Sequence, residues 1–235
     1  MDGTLIQTEV LKAHSYAIAI NKLTKGEIPE DRVLDVFNRF VGLSRQEVVD
    51  GLSGYFLVPL KKYLKTNDLN TIGETLIKKR LQIYRNILED SSLLSKHFCS
   101  FTLGLFHRLY TDNFTLALAT MSHLPEAKKV TEIMGIYDKF NLVLTRDDVE
   151  NGKPEPDIYM EALRRLGLTS SECLVIEDSV NGIRAAQMAG IDVFAVTNSI
   201  TRESVHHCKL LDSHFVVDDL DQLQSRVYAH IRSKT

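Results

Sequence analysis

The chain has 235 residues, 44% hydrophobic and 25% charged, with a formal net charge of −3. That balance fits one large globular domain, or a domain with a substantial insertion, and it excludes a disordered chain. It provides no basic footprint for nucleic acid and no polybasic membrane patch, and no run approaches the roughly 18 apolar residues of a membrane span. The N-terminus has neither the basic region nor the apolar core of a secretory signal. Cys99, Cys173 and Cys208 are odd in number and far apart, which predicts a reducing, cytoplasmic setting rather than a disulfide framework.

In chain order, MDGTL reads first as a turn around Asp2-Gly3. From Thr8 to about Asp90 the pattern is almost wholly helical. TEVLKAHSYAIAINKL, SRQEVVDGL and TLIKKRLQIYRNIL repeat apolar residues at helical spacing, and Ser44 with Glu47 forms a capping-box pattern. From about Ser91 short runs of β-formers take over: FTLALA (114–119), NLVLT (141–145), CLVIE (173–177), DVFAVT (192–197) and HFVVD (214–218). Helical stretches lie between them, with Gly135, Gly167 and Gly190 where those helices should stop. Alternating strands and helices predict a parallel sheet, and near-continuous apolar strands predict helices on both its faces. The expected architecture is therefore α/β: a Rossmann-like core of residues 1–7 and 91–235, with a small helical domain, residues 8–90, inserted into it.

Ligands of open parallel sheets bind beyond the carboxyl ends of the strands. The residues expected there are Asp2, Thr120, Ser122, Lys153, Glu177 and Asp178. Each has a plain structural role open to it. Thr120 and Asp178 could cap the helices that follow, Lys153 could be a solvated surface charge, and Asp2-Gly3 a simple turn. All of these landing on strand ends together is less expected than any one alone. Carboxylates with a lysine and a hydroxyl could hold a divalent hard cation, with magnesium and a phosphoryl group the natural pair. His206-His207-Cys208 has no second ligand cluster at suitable spacing and reads as a polar helix or loop.

The order MDGTL, LALAT, GKPEPDIY and LVIEDSVNGIRAAQMAG resembles the haloacid dehalogenase-like hydrolase superfamily over nearly the whole chain, above all its helical-cap phosphatase and β-phosphoglucomutase-like branch. The resemblance implies a magnesium-dependent phosphatase that acts on a small phosphorylated metabolite, such as a sugar phosphate, through an aspartyl-phosphate. It implies that Asp2 is the general acid/base and also reaches the metal, and that Thr120 and Ser122 bind phosphoryl oxygens. Lys153 neutralises the phosphate, and Glu177 and Asp178 hold Mg2+. Residues 8–90 take the place of the family's cap, where GLSRQE nominates Arg45 for the substrate, and Arg80, in LIKKRLQIY, sits where the branch has a basic substrate contact. A mutase using a sugar hydroxyl in place of water is an alternative, and so is a non-catalytic binding or regulatory relative. The oligomeric state is not encoded in any recognisable pattern.

The sequence departs from the family's pattern at several places. Gln7 stands where an acidic residue is usual, and Cys99-Ser100 replaces the usual Pro-Gly re-entry. The family's nucleophilic aspartate belongs two positions before Asp2, at the end of an apolar central strand, and Met1 takes the place between. The expectation is a truncated form that lacks nucleophile and strand, with little or no activity of its own and with the neighbouring strands left unpaired.

Overall fold

The computed structural model describes residues 1–40 and 45–234. It divides into two compact units, one of Thr8–Leu94 and one of Met1–Gln7 with Ser95–Thr235. The first is helical: α1 (Thr8–Leu23), α2 (Glu30–Phe37), α3 (Arg45–Tyr55), α4 (Leu57–Leu64) and α5 (Leu69–Glu89). The short α6 (Ser91–Ser95) follows.

The longest helix, α5, shows why this segment folds as it does. Asp68 caps it, accepting from the backbone N–H of Asn70 at 3.2 Å and of Thr71 at 3.1 Å. Ile72, Leu76 and Ile83 then recur on one face and are buried. They join Ile20 of α1, Val49 and Leu52 of α3 and Leu60 of α4 in a single apolar core. The predicted capping box rested on Ser44, which lies outside the described residues.

The second unit contains α7 (Ser100–Thr111), β1 (Ala117–Ala119), α8 (Leu124–Ile133), β2 (Leu142–Leu144), α9 (Asp157–Leu166), β3 (Leu174–Glu177), α10 (Val180–Met188), β4 (Asp192–Val196), α11 (Arg202–Cys208), β5 (Val216–Val217) and α12 (Leu223–Lys234). Every strand falls inside a run of β-formers, and all the pairings are parallel. Gly135, Gly167 and Gly190 all have positive φ, and Gly167 closes α9. Among the described residues no helix is long and apolar enough to cross a membrane. Cys99, Cys173 and Cys208 are all free thiols.

Among the described residues the strands form two sheets, β1–β2 and β3–β4–β5, so β1 and β3 each have an unpaired edge, as expected for the strands next to the family's first strand. A cavity of about 720 Å³ is lined by both β1 and β3. The burial pattern follows the split: Val193–Val196 of β4 are all buried, whereas Leu174–Ile176 of β3 are only half-buried and Ala117 of β1 is exposed.

Leu76 is fully buried in the helical unit. Leu76→Ala is expected to cost about 2–5 kcal/mol in urea denaturation, because truncation there leaves a cavity among fixed neighbours.

Candidate active site

The N-terminal turn is a compact knot at the C-terminal ends of the strands. The Met1 carbonyl accepts from the N–H groups of Thr4, Leu5 and Ile6, at 3.2, 2.7 and 3.3 Å. The Gly3 N–H donates to the Ile6 carbonyl at 2.8 Å. Thr102 on α7 anchors the knot, its hydroxyl donating to the Thr4 carbonyl at 2.5 Å. The Cys99 N–H does the same to the Leu5 carbonyl at 2.9 Å. Gln7, the departure from the acidic pattern, donates to the Gly3 carbonyl and to Cys99 Sγ, so both unusual positions serve one local bond network.

This knot carries Asp2 and Thr4 to the other predicted residues. Ser122 Oγ donates to Asp2 Oδ2 at 2.7 Å, and the Ser122 N–H donates to Thr120 Oγ1 at 3.2 Å. Thr4 Oγ1 donates to Asp178 Oδ1 at 3.2 Å. Lys153 Nζ donates to the Ala119 carbonyl at 3.2 Å and forms an ion pair with Glu177 Oε1. Hydrogen bonds and chain continuity thus close a ring through Ala119, Thr120, Ser122, Asp2, Thr4, Asp178, Glu177 and Lys153.

The plain structural roles fall to neighbouring residues. His123, not Thr120, is the N-cap of α8, and Ser179, not Asp178, caps α10 by accepting from the Gly182 N–H at 3.0 Å. Lys153 is no surface charge, since its side chain is 9% exposed, as is that of Glu177.

The two adjacent carboxylates stand in opposite electrostatic environments. Burial by itself would raise the Glu177 carboxyl, but the charges of Lys153 and the Met1 amino group, with hydrogen bonds from Lys153 and Tyr159, hold it down at about 2. Asp178 is pushed up to about 7, first by burial and then by the Glu177 charge, against the Met1 amino group and the Thr4 hydrogen bond. Glu177 is also fully occupied. Oε1 accepts from Lys153 and from Tyr159 Oη (2.9 Å), and Oε2 from the N–H of Asp178 (3.1 Å) and the Ser179 hydroxyl (3.3 Å).

Two glycines make room for these acids. A Cβ on Gly3 would lie 1.8 Å from Asp178 Oδ2, and Gly3 has φ +70°; a Cβ on Gly182 would lie 2.1 Å from Glu177 Cδ.

Among the described residues no group of three His, Cys, Asp or Glu side chains is arranged to hold a metal. The donor set at this site is of another kind: Asp178 and Asp2 supply carboxylate oxygens in a buried, anion-rich setting, which suits a hard cation bound by few carboxylates with water or phosphate oxygens. His206, His207 and Cys208 bond instead to Asp218, the Glu203 carbonyl and the Val205 carbonyl.

Arg45 and Arg80 lie in the helical unit. Arg45 is exposed at the start of α3. Arg80 is not on a solvated face. It is 5% exposed, donates to Ser15 Oγ at 3.0 Å, and lies over the rings of Tyr84 and Tyr16 at 4.5 and 5.1 Å. Burial lowers the pKa of its guanidinium, the two tyrosines opposing.

Tyr159 and Ser179 were not anticipated from the sequence, and Thr4 had no role assigned to it. Tyr159 lies within the GKPEPDIY stretch, and its place in the first turns of α9 was the only available signal.

The profile of the haloacid dehalogenase-like hydrolase family matches residues 1–196. The chain belongs to that family. It is 25% identical to the phosphorylated carbohydrates phosphatase of Thermotoga maritima over 202 residues, 85% of this chain and 84% of that protein. It is 46% identical to YhcW of Bacillus subtilis over only 68 residues, 29% of this chain and 31% of that protein. A crystal structure from Thermotoga maritima, provisionally named a β-phosphoglucomutase, superposes with a TM-score of 0.73, covering 97% of this chain and 96% of that one. At 22% identity that likeness establishes the shared haloacid dehalogenase fold.

Three substitutions probe the ring. Lys153→Met leaves the Glu177 carboxylate buried without its cation and is expected to cost about 3–5 kcal/mol in chemical denaturation. Adding Glu177→Gln should recover much of that loss in a double-mutant cycle. Gly3→Ala forces a side chain into Asp178 at positive φ; a loss of roughly 2 kcal/mol or more is expected by thermal unfolding.

Proposed function

We propose that the site performs magnesium-dependent phosphoryl transfer from a small phosphomonoester, such as a sugar phosphate, to water. The observation that carries this reading is the closed ring: a carboxylate pair, a buried lysine and two hydroxyl side chains gathered at strand ends, in a member of a family of hydrolases. The phosphorylated carbohydrates phosphatase supports the substrate class.

In this reading Asp178 and Asp2 hold Mg2+, which when bound offsets negative charge on the phosphoryl oxygens. Glu177 does not serve as a direct ligand: its oxygens are engaged by Lys153, Tyr159 and Ser179, so it fixes the lysine instead. Lys153 then presents a fixed positive charge to the phosphate. Thr120 and Ser122 orient phosphoryl oxygens, and Asp2, held by the Ser122 hydroxyl, protonates the leaving oxygen and afterwards takes a proton from the attacking water. The helical unit acts as the cap that selects the substrate, with Arg45 its cationic contact. Arg80, held between two tyrosines, shapes that unit from within.

The covalent step falls to the family's aspartate position, immediately before Met1 and outside the 235 residues. The 235-residue chain assayed alone with p-nitrophenyl phosphate and Mg2+ is therefore expected at background. Joining a five- or six-residue apolar strand ending in aspartate to Met1 should produce Mg2+-dependent turnover. Aspartate-to-asparagine in the added strand, or Asp178→Ala, should remove at least about 100-fold of it. Turnover that survives both changes, or a joined protein that folds and stays silent with every phosphomonoester tried, sinks the reading.

A further inference from the structure

Asn-Gly occurs twice in the chain, at 151–152 and at 181–182. The pair is chemically distinctive, because a glycine has no side chain to hinder its own backbone nitrogen from reaching the preceding amide carbon. Attack there needs an exposed asparagine, a backbone N–H not committed to a hydrogen bond, and a local chain that can turn.

The two pairs differ in the second and third of these. Asn181 is exposed, but Gly182 is buried in the first turn of α10, where its N–H donates to Ser179 Oγ at 3.0 Å. Asn151 is exposed in the loop between β2 and α9, and the Gly152 N–H donates to no acceptor among the described residues. The surroundings of Gly152 also favour the attacking form. Arg146 donates from Nη1 and Nη2 to the carbonyls of Val149 and Glu150, at 2.6 and 3.1 Å, which holds the guanidinium in this loop. A Cβ on Gly152 would lie 3.6 Å from Arg146 Nε, so a cation stands beside the nitrogen that must lose its proton. Asp157, at the start of α9, accepts from both the N–H and Nδ2 of Asn151 at 3.1 Å. The second of these bonds is exposed, so water competes for it.

We propose that Asn151 is a site of spontaneous deamidation, with water as co-reactant, and that the fold protects Asn181 from the same reaction. The Gly152 nitrogen gives its proton to hydroxide and bonds to the side-chain carbonyl carbon of Asn151. The bond from that carbon to Nδ2 breaks, and ammonia leaves with a proton taken from water. A second water opens the resulting succinimide at one of its two carbonyls. One opening gives aspartate, the other an isoaspartyl linkage that adds a carbon to the backbone. Either product sets a second carboxylate against Asp157, two residues before Lys153, and turns a hydrogen bond into a like-charge contact. The proposal does not depend on the phosphatase reading, since it rests on the surroundings of two backbone amides.

The test incubates the full 235-residue chain in mildly alkaline buffer and follows its proteolytic peptides by mass spectrometry. In the folded chain the one-dalton gain at Asn151 is expected to appear at least about tenfold faster than at Asn181, which must await local opening of α10. In guanidinium chloride the two sites should react at similar rates. Enzymatic methylation of isoaspartyl groups should label the Asn151 peptide of the incubated protein and not that of an Asn151→Gln variant. Asn151→Asp, which makes one of the products directly, is expected to lower Tm by roughly 2–4 °C, and by less in an Asp157→Asn background. The proposal is overturned if Asn151 reacts no faster than Asn181 in the folded chain, or reacts only after unfolding. An unchanged Tm in Asn151→Asp, or a loss of equal size in the Asp157→Asn background, overturns the like-charge contact with Asp157.

Discussion

The site depends on a lysine and a glutamate held out of water together. An isolated buried charge of either sign is costly, and the pair is tolerated because every oxygen of Glu177 is engaged and Lys153 has the Ala119 carbonyl as a further partner. Lys153 precedes α9 and Glu177 ends β3, so this one contact ties the end of β3 to the end of β1. It also sets the electrostatics of the neighbouring acid: a Glu177 kept ionised makes Asp178 harder to ionise. Two carboxylates adjacent in sequence thereby acquire different tasks, one positioning a cation of the protein and one suited to a cation from outside.

Close approach is the second constraint. The N-terminal turn can lie against Asp178 because residue 3 has no side chain, and α10 can begin beneath Glu177 because residue 182 has none. Either position with a Cβ would push the acids apart and open the ring. The family resemblance around MDGTL and DSVNGIRAAQ can be understood physically in these terms, as glycines required wherever backbone meets carboxylate.

Among its described residues the core unit combines a ring of hydrogen-bonded polar side chains with two separate sheets. Among the described residues β4 has neighbours on both sides and is buried over Val193–Val196; β1 and β3 each have one neighbour and retain partial exposure. The ends of β1 and β3 are nevertheless held by side chains, Lys153 on one side and the Thr102-anchored turn on the other.

Much was legible in the order of residues alone. Alternation of β-rich runs with helical stretches located all five strands, because doubly covered strands must be apolar along their whole length. The order of MDGTL, LALAT, GKPEPDIY and LVIEDSV led to the expectation that Asp2, Thr120, Lys153, Glu177 and Asp178 gather beyond the strand ends, since a parallel sheet directs all its carboxyl termini one way. What the sequence could not determine was who bonds to whom. That Glu177 is saturated by Lys153 and Tyr159, that Ser179 rather than Asp178 caps α10, and that Arg80 is enclosed by Tyr16 and Tyr84 are matters of distance between residues far apart in the chain or of side-chain direction at a turn. Local periodicity reports which face of an element is buried, and only packing in three dimensions decides which polar atoms meet once it is.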